Sequence, residues 1–274
     1  MTRYKTHRNI QYVILGFIGL CFLLPLLWIV FASFDAHAQQ GIKIPQQFTL
    51  QNYKDVLTDA SNIRSFGVGL LLSGGQATLV VIVSALAAYP LSRYEMKFKK
   101  SFLLTILFMT ALPITAVMVP VFQLFLFLKL QNSIIATILF LTASSLPYGI
   151  WMMKNFMDSV PVDLEESAWI DGASVWTGLR KVVTPLMLPG ICTIAIFTFS
   201  GSWGNFFVPY ILLQTPEKLP ASVTIYQFFG SHGMVEYGRL AAFALLYTAP
   251  SVILYIFSQR FMSKGFSLGG ATKG

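Results

Sequence analysis

Long runs without a single charged residue alternate with short polar connections along this chain of 274 residues. Uncharged apolar stretches cover 12–34, 65–92, 101–128, 130–153 and 240–259, and a further one, beginning inside a polar segment near residue 182, reads as a span over 188–213. Crossing a hydrocarbon core of about 30 Å takes roughly 20 residues as a helix, because every backbone amide must find its partner inside the bilayer. The pattern therefore predicts an all-α membrane protein with six transmembrane helices and both termini on one side. The connections are short except for outer loops at 35–64 and 214–239, neither large enough for a separate domain, so a single domain over 1–274 is expected.

Charge sets the orientation. Most of the 19 Lys and Arg lie at the N-terminus (Arg3, Lys5, Arg8), in the second connection (Arg93, Lys97, Lys99, Lys100), in the fourth (Lys154, Arg180, Lys181) and in the tail (Arg260, Lys264, Lys273). Basic residues are retained on the cytoplasmic face, which puts both termini and the polar segment around Glu166 in the cytoplasm. The composition, 55% hydrophobic and 11% charged, fits a polytopic membrane protein. A net charge of +8 is then explained by inner loops facing anionic lipid, and no nucleic-acid partner is expected. Ala36-His37-Ala38 after the first apolar run imitates a signal-peptidase site. That run is longer than the roughly 7 to 15 residues of a signal h-region, and it is read as a retained span. Cys21 and Cys192 lie inside apolar runs, where small core residues are expected rather than a disulfide.

The most informative segment is the polar loop 156–187. Pro161 suits a first helical turn, where its missing amide donor is not needed, and Asp163, Glu165 and Glu166 place negative charge against the positive end of the helix dipole. Gly172 can adopt a left-handed conformation, stopping this short helix before a second one that carries Trp176, Leu179 and Val183. Pro185 and Pro189 mark the approach to the fifth span.

Glu166-Ser167-Ala168, three residues to Gly172 and nine more to Val182-Val183-Thr184-Pro185 reproduce without a gap the E-A-A, G, I-x-L-P pattern of the cytoplasmic loop of ABC importer permeases. The segment resembles that loop, with Ser for the first Ala, Val for Ile and Thr for Leu. Ala87-Ala88-Tyr89 with Ser92-Arg93, Leu146-Pro147 with Ile150-Trp151, and the tail Gln259-Arg260, Gly265 and 269–274 resemble the carbohydrate branch, in particular the smaller permease of maltose-type or multiple-sugar importers. Trp203, Phe206 and Pro209 follow a W-N-(D/E)-F-x-x-P pattern, from which Gly204 and Asn205 depart.

The resemblance implies a type I ABC importer permease with a cytoplasmic coupling helix, in a bacterial or archaeal cytoplasmic membrane. It implies Leu164, Glu165, Glu166, Ala168, Asp171, Gly172 and Ala173 as the residues that meet the ATPase: three acids for its groove, an apolar contact from Leu164 and Ala168, and the turn at Gly172. It also implies partners: a second six-span permease forming a heterodimer, two ABC ATPase subunits, an extracytoplasmic solute-binding protein, a sugar and membrane lipid. No G-x-x-x-x-G-K-(S/T) loop is present, so this chain is expected to be a non-catalytic subunit that binds no cofactor, with ATP and Mg used by the partner.

No Asp, Glu, Lys, Arg or His falls inside the six spans, which weakens an ion-coupled carrier, since such carriers bury ionisable relays in the membrane. A neutral polyol suits such a path. Aromatic faces and amides are the expected sugar contacts, and the candidates are Gln123, Tyr148, Trp151, Trp203, Asn205 and Tyr247. The coupling loop does not name the solute, so a peptide or glycerol-phosphodiester importer stays open beside the sugar, with an ion-coupled carrier behind both. Gly265-Phe266-Ser267-Leu268-Gly269 matches a hydrolase pattern, but without the strand and helix of a nucleophile elbow. His7, His37 and His232 are scattered, and no metal site is expected.

Overall fold

The computed structural model describes residues 2–41, 43–229 and 235–270. Gly230, His232 and Gly233 of the outer loop and the tail residues 271–274 lie outside the described residues. The chain separates into two compact units, Met1–Ile63 with Thr224–Ala249, and Arg64–Val223 with Pro250–Gly274.

In the first unit, α1 (Thr2–Ser33) is a long apolar helix, and α2 (Gln51–Thr58) is short and amphipathic. The end of α1 is tied down. Ala32 and Ser33 are buried, Tyr53 donates to the Ser33 hydroxyl at 2.9 Å, and the Trp28 ring meets Tyr237 edge-on. Asn52 donates to the Ser33 and Asp35 carbonyls, which the end of α1 leaves without helical partners. No residue in the apolar window of α1 is buried, as expected of a helix whose surroundings are lipid or another subunit. Asp55 on α2 pairs with Arg239 at 2.8 Å. Its carboxyl is held below the ordinary carboxylate range, first by the hydrogen bond from Gln51 and then by Arg239.

In the second unit, α3 (Ala60–Arg93, from residue 64 onward), α6 (Ile134–Asp158) and α9 (Thr184–Trp203) are the long apolar helices. Val80, Ala88, Met153, Met157, Val183, Met187 and Ile194 form their common core. Small residues let the backbones approach, as in membrane helix pairs generally. A Cβ on Gly149 of α6 would sit 2.8 Å from Val80 of α3, and one on Gly190 of α9 would sit 2.5 Å from the Phe156 ring of α6.

The third predicted stretch, 101–128, is two helices rather than one. α4 (Lys99–Met109) and α5 (Ile114–Phe127) meet at 93°. Thr110, Ala111 and Leu112 each bond three residues back, tightening the end of α4, and Pro113, which has no amide to donate, takes an extended conformation (ψ 128°). The fifth stretch differs too. A π-turn at Leu179–Val183 joins α8 (Val175–Gly178) to α9, so one helical path runs from Val175 to Trp203. The Thr184 amide and hydroxyl close that turn on the Leu179 carbonyl. The helix breaks at Gly204, and α10 (Phe207–Leu212) follows, with Asn205 Oδ1 accepting from the Val208 amide.

Beyond α10, Asn132 acts as a clasp. It takes a left-handed φ of +57°, which Asn tolerates, and its side-chain oxygen accepts from the Gln214 and Thr215 amides. The described chain thus has five helices long and apolar enough to span a bilayer, or six spans when the bent α4–α5 pair counts as one.

Candidate functional site

The polar segment 156–187 forms the expected short helix, α7 (Asp163–Ile170). Asp163, Glu165 and Glu166 occupy its first turn, while Pro161 lies before the helix rather than in it. Its other end closes as a Schellman turn. The Ala173 amide bonds Ala168 O and the Gly172 amide bonds Trp169 O, both at 3.0 Å, with Gly172 at φ +85°. Ser174 then caps α8 by accepting from the Thr177 amide. Serine and glycine at these two positions fold the segment back into the helical path of α9.

α7 has two faces. Leu164, Glu166, Ile170 (86% exposed), Asp171 and Gly172 are open to the surroundings, and Ala168 and Ala173 are half-buried. An apolar and acidic surface of this kind has no partner among the described residues.

Glu165 corrects the sequence reading. Expected to meet an ATPase, it is 1% exposed and points into the protein. Arg93, the last residue of α3, donates from Nε to Glu165 Oε1 at 2.5 Å, and Tyr89 donates to Oε2 at 3.2 Å. Arg93 also reaches the Val160 carbonyl at 3.1 Å. One residue earlier, Ser92 donates to Asp158 at 2.6 Å, and Asp158 pairs in turn with Lys154. A buried carboxylate needs such a set of donors, because desolvating a charge is costly unless it is paired and hydrogen-bonded. The signal for this arrangement was present in the sequence: Tyr89 and Arg93 are four residues apart at the C-terminal end of α3 and therefore share a helical face.

A cavity of about 650 Å³ opens in the same unit, walled by α3, α6 and α9 and by the bent α4–α5 junction. Of the six candidate path residues, Tyr148 and Asn205 line it. The other candidates do not join them. Trp203 is 3% exposed, stacked on Phe199 with its ring edge against Gly69, so it fills space between α9 and α3 rather than facing the cavity. Gln123 on α5 is exposed and Trp151 on α6 half-buried, and neither lines the cavity. Tyr247 belongs to the first unit. Sequence reasoning missed the lining residues Gln76, Phe140, Phe197, Thr198 and Ser202, whose types are ordinary for membrane helices. Among the described residues, no three His, Cys, Asp or Glu side chains converge as metal ligands would.

These features, a multi-pass bundle with a short polar helix latched beneath it, define a membrane transport component. Residues 80–267 match the binding-protein-dependent transport system inner membrane component family, and the chain belongs to that family. It is 33% identical, over 90% of its length and 88% of the relative's, to the sulfoquinovosyl glycerol transport system permease protein SmoH of Agrobacterium fabrum. It is 31% identical to the trehalose transport system permease protein SugB of Mycobacterium tuberculosis, over 92% of this chain and 93% of that one. For the galactooligosaccharides transport system permease protein GanQ of Bacillus subtilis the identity is 29%, over 96% and 95%. The fold matches a chain of a bacterial ABC transporter involved in alginate import, with a TM-score of 0.82 at 23% identity over 93% of this chain and 96% of that one.

Proposed function

We propose that this chain is one permease subunit of an ATP-binding-cassette importer for a sugar or oligosaccharide, driven by separate ATPase subunits at α7. The observation that carries the reading is the two-sided build of α7: Glu166 and Ile170 stand open while Glu165, next to Glu166 in the helix, is latched to α3. A helix of 8 residues is far too short to persist alone in water, so its anchoring is what gives a docking partner something rigid to move. Relatives whose names specify trehalose and galactooligosaccharides support the sugar. Family membership supports dependence on an extracytoplasmic solute-binding protein, and a related transporter chain has been captured with a periplasmic protein carrying an alginate pentasaccharide. The exposed apolar length of α1 suits a second permease or lipid. ATP and Mg are assigned to the partner, this chain binds no cofactor, and its termini lie in the cytoplasm of a bacterial or archaeal cell.

Reconstitution into vesicles with the partner permease, ATPases and binding protein tests this. Uptake of labelled saccharide should require ATP and every subunit. Gly172→Pro should insert normally and lose uptake, because proline fixes φ near −65° where the turn needs +85°. Wild-type uptake by that variant, or uptake by this chain alone, refutes the assignment.

A further inference from the structure

The cavity in the second unit is built to read hydroxyl donors and to refuse charge, and the geometry points to a neutral-saccharide subsite on this chain centred on Gln76 and Ser202. This deepens the importer reading above and rests on it. Gln76 of α3 is 4% exposed. Its amide nitrogen donates to the Leu141 carbonyl at 3.0 Å and to the Ser145 hydroxyl at 2.8 Å, so both of its N–H groups are spent on α6. Those two bonds fix the plane of the amide and leave Oε1 an acceptor with no partner. Ser202 of α9, 8% exposed, likewise has a hydroxyl with no partner. Buried polar groups are normally satisfied, and two orphans among the residues that line one cavity mark the place where a bound molecule completes the bonding.

The chemistry of that molecule follows. An acceptor whose amide donors are committed takes an O–H or N–H from a water or from the solute that displaces it, while Ser202 can give or take a hydrogen bond. Phe140, Tyr148 and Phe197 supply apolar faces, and the volume lies within the roughly 300–1,000 Å³ of small-molecule sites. No Asp, Glu, Lys, Arg or His lines the cavity. A carboxylate, sulfonate or phosphate would be desolvated there with no counter-charge and would meet the Gln76 oxygen as acceptor against acceptor. A neutral pyranoside satisfies both orphans with its hydroxyls, whereas a uronide or sulfosugar, which has hydroxyls too, brings an anion that finds no counter-charge there. The proposed subsite therefore favours neutral over acidic saccharides.

The test uses the complete importer in nanodiscs, with Cys21→Ser and Cys192→Ser removing the native thiols and Ser144→Cys placing one on the exposed part of the cavity wall. The rate of labelling by N-ethylmaleimide is measured with trehalose, maltose, lactose or digalacturonate. At least one neutral disaccharide should slow labelling about fivefold or more, and digalacturonate less than twofold. Adding Ser202→Ala should weaken the protecting saccharide about tenfold while leaving the melting temperature unchanged or raised, since the hydroxyl removed has no partner in the protein. Protection by digalacturonate alone, absence of protection by all three neutral sugars, or a lowered melting temperature for Ser202→Ala with unchanged protection overturns the subsite. ATP-dependent uptake without protection sinks the subsite alone. Protection without ATP-dependent uptake by the same complex sinks the importer reading and leaves the subsite standing.

Discussion

Arg93→Ala and Glu165→Gln should each be severe, and by similar amounts. Arg93 is 6% exposed and Glu165 1%, with 2.5 Å between Nε and Oε1, so removing either leaves the other as a buried group without its counter-charge. Breaking one side of a buried pair costs about 3–5 kcal/mol, against 0–1 kcal/mol for a surface pair. Arg93→Ala also strips the Val160 carbonyl of its donor, and Glu165→Gln keeps a partner for the Tyr89 hydroxyl but strands the guanidinium. For a chain of this size the loss corresponds to a fall of about 10 °C in melting temperature, read by intrinsic fluorescence of the purified complex in detergent. The double replacement Arg93→Met with Glu165→Met removes both charges together. It should recover most of the loss, short of about 1–3 kcal/mol for the orphaned Tyr89 hydroxyl. Uptake should not recover with it if the polar latch transmits motion from α7. Single variants that melt within about 2 °C of wild type would refute the claim that the pair is buried and coupled.

Gly190→Ala should destabilise by about 1–3 kcal/mol, since its Cβ would lie 2.5 Å from the Phe156 ring, whereas Gly67→Ala meets nothing within 4 Å and should be neutral or gain up to about 1 kcal/mol of helix propensity; melting curves of the two variants decide it. Asp55 is held low by Gln51 and Arg239, so its contribution is present above its unfolded-state pKa of about 3.9 and is lost as pH falls below that value through the lower folded one. Acidification below about pH 4 should therefore loosen the tie between α2 and Arg239, and Asp55→Asn should flatten that part of the stability profile measured from pH 3 to 7.

The spans were legible because the bilayer imposes a length and forbids charge, and both constraints are written in composition. α7 was legible for another reason: acids at one end and a glycine at the other have one economical backbone solution, and Gly172 adopts it. The breaks at 110–113 and at Gly204 were hidden. Hydropathy does not change across them, and a proline inside an apolar run marks a kink in one place and passes without a break in another, as Pro120 and Pro147 do within α5 and α6. The orientation of Glu165 was hidden as well. Two adjacent glutamates on a helix point about 100° apart, so one faces inward when the other faces out, and sequence alone does not say which. Trp203 misled for a related reason: an aromatic ring suits a sugar and suits the gap above Gly69 equally, and only packing tells the two apart.

The placement of charge in the second unit has a mechanical consequence. The cavity contains none, and the buried pair that ties α7 to α3 lies outside its lining, between residues at the C-terminal end of α3 and the first turn of α7. α7 is joined to α3 by a polar bond of defined direction and, across the tight turn at 171–174, to the helical path that runs from Val175 through α8 and the π-turn into α9. Both α3 and α9 supply cavity walls, through Gln76 on one side and Thr198 and Ser202 on the other. On the proposed coupling role, a displacement of α7 would be carried along α3 and α9, and it would alter the separation of the Gln76 and Ser202 oxygens without bringing a charge near the solute. Inserting one alanine after Gly178 would rotate the α9 end of that connection by about 100° while leaving Arg93 and Glu165 in place. Uptake should fail in that variant with the ion pair intact, and uptake that survives the insertion would show that α9 is not part of the route.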